Sequence, residues 1–435
     1  MLKRKMTAHL KAWAAGRDKK CLVVRGARQT GKTFIVERFA EEAYEELVEI
    51  NFKQLPSAVE IFSGDLTVDR MVMALRFRFP DKMIIPGKTL IFLDEIQECQ
   101  EAVTSLKFWA LDNRYDVIAS GSLLGIDYKR ASSYPVGYVD YLTMHGLDFE
   151  EYLWGIGITE DMIGALRGFL DTKSVIPESV NSRMMQYYRQ YIATGGMPEI
   201  VQKYVDTGDF RVVDTLQRNL LTGYQYDIAH YATAEEKVKA EKCYLSLARQ
   251  LLDKENHKFQ YKEIEHGARA QKYYSSVEWL LRADLVHLCR RVTDVRYDLD
   301  DYAREDFFRA YTTDLSLLIA MKDYSLKQHI VENTLSGNTK GGLYECAVAD
   351  ALYKKGYPLY FYKNETTRRE LDFLIQIDGQ VVPIEVKSGN TRAASLQMEL
   401  RNHKDISYGY KFVDGNIGIS EEGIITLPLY MAAFI

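Results

Sequence analysis

Between Cys21 and Ser122 short apolar runs alternate with amphipathic stretches. Cys21-Leu-Val-Val-Arg25 is the first run, and a glycine-containing turn and a helical periodicity from Lys32 to Tyr44 follow it. Val48 to Phe52, Thr89 to Leu93 and Tyr115 to Ala119 repeat the strand pattern. Strands separated by amphipathic helices predict a parallel sheet covered on both faces. From Asp148 to Ala320 the period becomes helical, which predicts a mostly helical middle. Inside it, a strand-like Lys258–Tyr261, a short helix Lys262–Gly267, a helix Ala270–Arg282 and a strand Leu285–Val292 follow in winged-helix order. Tyr273, Val277, Leu280 and Leu281 share one face of that second helix and are expected in the core. The C-terminal part reads as a helix at Gly342–Lys355, strands at Pro358–Lys363, Glu370–Ile377 and Gln380–Lys387, a helix at Ala393–His403 and a strand at Gly409–Val413. Its order is α-β-β-β-α-β.

Three domains result: 1–150, 151–334 with the winged helix near 258–295, and 335–435. The last boundary falls at Leu335–Gly342, where small and polar residues gather. A length of 435 residues suits such a division. With 47% hydrophobic and 27% charged residues, no long stretch is expected to be disordered. A net charge of −5 excludes a strongly basic nucleic-acid binder, so any such contact is local. Cys21, Cys99, Cys243, Cys289 and Cys346 are scattered and form no C-x-x-C, which argues against a disulfide framework or a zinc site. No apolar run reaches the roughly 18 residues of a membrane helix, and no signal-peptide core follows Met1–Met6. A cytoplasmic protein without membrane contact is the expectation.

Residues 26 to 33 read G-A-R-Q-T-G-K-T, a full match to the P-loop pattern, placed between a strand and a helix. Gly26 and Gly31 let the backbone amides of Gly26, Ala27, Arg28, Gln29, Thr30 and Gly31 turn toward phosphate. The helix start adds a partial positive charge. Lys32 is suited to reach the terminal phosphates, and Thr33 to offer its hydroxyl to Mg²⁺. Leu90-Ile-Phe-Leu-Asp94-Glu95 adds a Walker B pattern. Asp94 would hold the metal, and Glu95 would orient and help deprotonate the attacking water. Ser120 and Ser122 end the next strand and are candidates for contact with phosphate or water. ATP and Mg²⁺ are the expected ligands, and ATP hydrolysis the expected activity.

The set G-A-R-Q-T-G-K-T, Leu93-Asp-Glu-Ile-Gln97 and Ala119-Ser-Gly-Ser122 resembles prokaryotic AAA-type ATPases that carry a poorly characterised C-terminal domain. Gly195-Gly-Met-Pro-Glu199 and Tyr311-Thr-Thr-Asp-Leu315 are similar to that family's C-terminal part. The resemblance implies a P-loop ATPase core, a winged-helix-containing middle and a restriction-endonuclease-like α/β end. The family often has a basic residue after Pro135-Val-Gly137, where this chain has Tyr138. Arg28, Arg114 and Arg130 are then the candidates for a phosphate-sensing arginine.

The C-terminal order also resembles the PD-(D/E)XK nuclease core. Asp372 and Glu385, on neighbouring strands, would chelate Mg²⁺, with Glu345 completing the metal shell. Lys387 shares a strand face with Glu385 and would polarise water or stabilise the phosphate. Leu371 stands where that motif usually has proline. Arg269 and Lys272 on the second helix of the winged-helix segment, and Arg290 and Arg291 on its strand, are candidates for phosphate contact. DNA and a second copy of the chain are thus candidate partners. The alternative is a signalling or assembly NTPase whose C-terminal domain is a non-catalytic binding module.

Overall fold

The N-terminal apolar runs form a parallel sheet in a computed structural model of the chain, which describes residues 2–121, 135–232, 235–253, 258–364, 366–367, 369–389 and 391–435. Two units separate, one centred on Arg4–His145 and the other on Gly146–Leu281 and Leu285–Ile435. In the first, strands β1 (Cys21–Arg25), β2 (Glu46–Asn51), β3 (Thr89–Asp94), β4 (Asp116–Gly121) and β5 (Val139–Thr143) lie in the order β2-β3-β4-β1-β5. All four pairings are parallel. Alternate residues feed opposite cores: Val23, Ile50, Leu93 and Ala119 pack with Trp109 and Phe62, while Leu22, Val24, Phe92 and Ile118 pack with Ile35, Val36 and Phe39. Burial on both faces makes β3 apolar along almost its whole length and easy to read in the sequence. β5 is an edge strand that exposes Asp140 and Tyr141, so its apolar signal is weak.

The register brings the strand ends together. Leu93 pairs with Ala119, and Val24 with Ser120, so the residues after β1, β3 and β4 reach one edge of the sheet. The loop after β1 runs directly into the helix Lys32–Ala43.

The second unit has a helical region and an eight-stranded sheet. Its strands are β6 (Val286–Val292), β7 (Ala303–Thr312), β8 (Leu359–Lys363), β9 (Glu370–Ile377), β10 (Gln380–Lys387), β11 (Gly409–Val413), β12 (Gly418–Ile419) and β13 (Ile424–Pro428). The order is β12-β13-β11-β10-β9-β8-β6-β7. The expected α-β-β-β-α-β elements are present, beginning with the helix Gly337–Lys354 and extended by β12 and β13.

The winged-helix expectation meets a different arrangement. Helix Ala270–Arg282 forms and buries Tyr273, Val277 and Leu280, with Leu281 half-buried. Lys258–Tyr261 is not a ladder strand, although Phe259 N donates to Phe308 O at 2.9 Å. β6 pairs with β7 as a hairpin but also with β8 in parallel, from Cys289↔Leu359 to Val292↔Tyr362. The hairpin expected as a wing therefore belongs to the C-terminal sheet, which continues across the boundary expected at 335. The polar stretch Leu335–Gly342 runs into the helix that begins at Gly337.

A buried polar cluster ties this unit together. Lys354 Nζ lies 2.8 Å from Asp314 Oδ2 and 2.9 Å from Asp350 Oδ2. Gly196 N donates to both Asp314 oxygens at 3.0 and 3.1 Å, and Tyr191 OH donates to Asp350 at 3.0 Å. The Gly195–Glu199 and Tyr311–Leu315 segments thus meet through Gly196 and Asp314. Burial, then Asp314, pushes the Asp350 carboxyl up to about 6, against the pull of Lys354. Among the described residues, no helix is long and apolar enough to cross a membrane.

Candidate nucleotide-binding site and the C-terminal acid cluster

The loop Gly26–Gly31 starts at the buried end of β1 and closes on a helix whose N-cap is Gly31, at φ 89°. Gly26 has φ 151°, and a Cβ there would stand 2.1 Å from the Met144 carbonyl oxygen. Only glycine fits that contact and that backbone. Lys32 is buried, and its Nζ donates to Gly26 O at 3.0 Å and Ala27 O at 2.8 Å. Burial lowers its pKa to about 8, against upward pulls from Glu95 and Asp94. The ammonium thus sits folded back on its own loop, poorly solvated, with loop carbonyls as its acceptors. Thr30 Oγ1 closes the loop onto Ala27 O at 3.0 Å.

Asp94 ends β3 and is 2% exposed. Its Oδ2 accepts from Thr33 Oγ1 at 3.0 Å and from Asn51 Nδ2 at 2.8 Å, and Ser120 Oγ donates to its Oδ1. Thr33, Asp94 and Ser120 therefore form one cluster at the edge where the strands end. Mg²⁺ favours few protein ligands with several waters and phosphate oxygens. A threonine hydroxyl facing a single carboxylate fits that demand. Glu49 on β2 is pushed up to about 7 by burial, then by Glu37 and Asp94, so it carries only part of a negative charge at neutral pH.

Glu95 follows in a left-handed conformation, φ 54°. Its Oε2 lies 2.7 Å from Lys53 Nζ and accepts from Gln97 Nε2 at 2.6 Å. Burial raises its pKa, but Lys53 and Gln97 outweigh that and hold it below the ordinary carboxylate value. It is ionised at neutral pH.

The residues that sequence reading missed are supports. Arg4 Nη1 donates to Thr30 O at 3.1 Å and its Nη2 to His145 O at 2.6 Å, which holds the P-loop from the N-terminal side. Asn51 and Lys53 hold Asp94 and Glu95. None carries a motif signal, because each is an isolated polar residue brought in by the fold. Of the candidate arginines, Arg28 is exposed, and Arg114 is paired with Asp112 at 2.7 Å and Asp69 at 2.6 Å. Arg130 and Ser122 lie outside the described residues.

In the second unit, Glu345, Asp372, Glu385 and Lys387 each have protein partners. Glu345 Oε1 accepts from Arg309 Nη1 at 2.7 Å and from Tyr311 OH at 2.6 Å. Asp372 Oδ2 accepts from Val386 N at 2.7 Å. Glu385 pairs with Lys387 at 2.6 Å and accepts from Leu396 N at 3.2 Å. Burial, then Glu345, pushes Asp372 up to about 7, so it holds a proton for some of the time at neutral pH. Among the described residues, no group of three His, Cys, Asp or Glu side chains is placed to hold a metal ion. The acids assigned by resemblance to a shared Mg²⁺ are each engaged by groups of the protein itself.

The basic residues of the winged-helix segment are largely engaged within the unit. Lys272 pairs with Glu265 at 2.6 Å and Arg290 with Glu305 at 3.4 Å, while Arg291 donates to Lys363 O at 2.9 Å. Arg269 is exposed.

Residues 18–153 match the family model of an AAA domain. Residues 185–328 and 340–431 match two models that describe domains of unknown function, DUF8612 and DUF4143. No curated protein sequence matches the chain. Among solved structures it is similar to a Walker-type ATPase of Pyrococcus abyssi, at 12% identity over 74% of this chain and 96% of that one, with a TM-score of 0.43. It is also similar to RuvB of Thermotoga maritima, at 15% identity over 66% and 90% with a TM-score of 0.30. A third likeness is to AMPPCP-bound DnaA of Aquifex aeolicus, at 11% identity over 63% and 85% with a TM-score of 0.28. Each of these likenesses is loose.

Proposed function

Starting from an AAA-type P-loop domain at residues 18–153, we propose that the chain is a Mg²⁺-dependent ATPase. The observation that carries this reading is the juxtaposition of Thr33 with Asp94, at 3.0 Å, at the foot of a P-loop that has all its motif residues. Backbone amides from Gly26 to Gly31 and the helix start at Lys32 bind the phosphates. Lys32 leaves the carbonyls of Gly26 and Ala27 and takes a phosphate oxygen. Thr33 and Asp94 would hold Mg²⁺, which supplies charge neutralisation at the phosphates. Glu95 orients a water and accepts its proton, and Ser120 fixes the Asp94 carboxylate.

Glu95→Gln tests the assignment, since it keeps shape and removes the proton acceptor. ATP binding by calorimetry should stay within a few-fold of wild type, while phosphate release falls by about a hundredfold or more. Wild-type turnover in Glu95→Gln would mean that another residue positions the water.

For the second unit, the engagement of Arg309 with Glu345 favours a non-catalytic binding module over a phosphodiester-cleaving domain. On that reading the chain is an ATP-driven switch or assembly protein.

A further inference from the structure

Glu345 and Glu370 share a cation that the chain itself supplies. Arg309 enters from β7 and is 2% exposed. Its Nη1 donates to Glu345 Oε1 at 2.7 Å and to the Asp372 carbonyl oxygen at 3.2 Å, and its Nη2 donates to Glu370 Oε1. The Phe361 ring covers it, with Cζ 4.4 Å from the ring centroid. Tyr311, two residues along the same strand, donates to the oxygen of Glu345 that Arg309 holds. Lys363 pairs with the other oxygen of Glu370 at 2.6 Å, and Lys387 pairs with Glu385 at 2.6 Å.

The charges nearly cancel without a metal. Glu345, Glu370, Asp372 and Glu385 supply four carboxylates, and Arg309, Lys363 and Lys387 supply three cations. One negative charge then remains. A divalent ion would bring two positive charges to a cluster that lacks at most one. It would also have to displace a planar guanidinium held by two carboxylates, a carbonyl and a ring face.

We propose that Arg309 is the resident cation of this cluster, supplying the charge that a divalent metal supplies in a cleaving domain. The C-terminal unit then holds no divalent ion at Glu345, Asp372 and Glu385 and performs no metal-dependent cleavage. The proposal is independent of ATP hydrolysis in the other unit.

The test is Mn²⁺ binding to the full chain without nucleotide, followed by electron paramagnetic resonance. Asp372→Asn separates C-terminal binding from any at the P-loop. Wild type and Asp372→Asn should bind the same number of ions. Arg309→Met should gain one ion, lost again in Arg309→Met combined with Asp372→Asn. A wild-type ion that disappears in Asp372→Asn overturns the proposal, as does a folded Arg309→Met protein that gains none. If Arg309→Met does not fold, thermal unfolding of wild type and Asp372→Asn with and without Mn²⁺ decides. A Mn²⁺-dependent rise in midpoint confined to wild type overturns it, and equal behaviour of the two upholds it.

Discussion

Substituting Met for Lys32 keeps the aliphatic stem against the P-loop and removes the ammonium. Burial lowers the pKa of Lys32 from 10.5 to about 8. At about 1.4 kcal/mol per unit, folding disfavours the charged form by roughly 3 kcal/mol. Against this stand the two bonds to Gly26 O and Ala27 O, worth about 1 kcal/mol each. The neutral side chain should therefore leave the nucleotide-free protein more stable by about 1 kcal/mol. Affinity moves the other way, because the lost charge–phosphate contact costs about 3 kcal/mol, roughly a hundredfold in Kd. Urea unfolding at neutral pH reads the first effect and calorimetric ATP titration the second. A pH series adds a third readout. Folded Lys32 holds its proton less tightly than the unfolded chain does, so its contribution to stability grows as pH rises from about 8 to 10.5. The difference between wild type and Lys32→Met should pass through zero in that window and reverse, with wild type the more stable by about 2 kcal/mol near pH 10.5. A variant that unfolds at clearly lower urea and still binds ATP like wild type would refute the reasoning on both counts.

Gly26→Ala places a Cβ 2.1 Å from the Met144 carbonyl oxygen; it should destabilise the fold by about 2 kcal/mol or more and abolish calorimetric ATP binding. Lys354→Met leaves Asp314 and Asp350 buried without their shared cation, and urea midpoints should report a loss of about 3–5 kcal/mol. Asp350, raised from 3.8 to about 6, binds its proton more tightly in the folded state, so its contribution is complete below pH 3.8 and lost as pH rises through about 6. Asp350→Asn should remove that component of the pH dependence, and an unchanged profile would show that the carboxyl titrates normally.

The features of this structure that sequence made legible share a cause: their residues are adjacent in the chain. The P-loop is one continuous segment, and Asp94 and Glu95 follow a run of apolar residues that must be strand. β8, β9, β10 and β11 lie within a residue of their expected bounds, because each is a short apolar run between turn residues. What escaped depends on partners remote in sequence. Arg309 lies on a strand whose pattern gives no hint that it reaches Glu345 and Glu370. Arg4 looks like one more basic residue near the N-terminus, yet it holds the Thr30 carbonyl. The wing assignment of β6 failed to foresee its second neighbour, since hairpin pairing is local and the β6–β8 pairing is not. β12 has only two residues and leaves too little periodicity to detect.

The pairing of β6 with β8 also constrains how such a gene can be rearranged. A recombination breakpoint between Thr312 and Leu359 would separate strands that are hydrogen-bonded to each other. Each fragment would carry a bare row of backbone amides and carbonyls, an edge ready to pair with any extended chain it met. Selection would purge those products as aggregating ones, whatever their catalytic merit. Residues from β6 to β13 should consequently be inherited as one block.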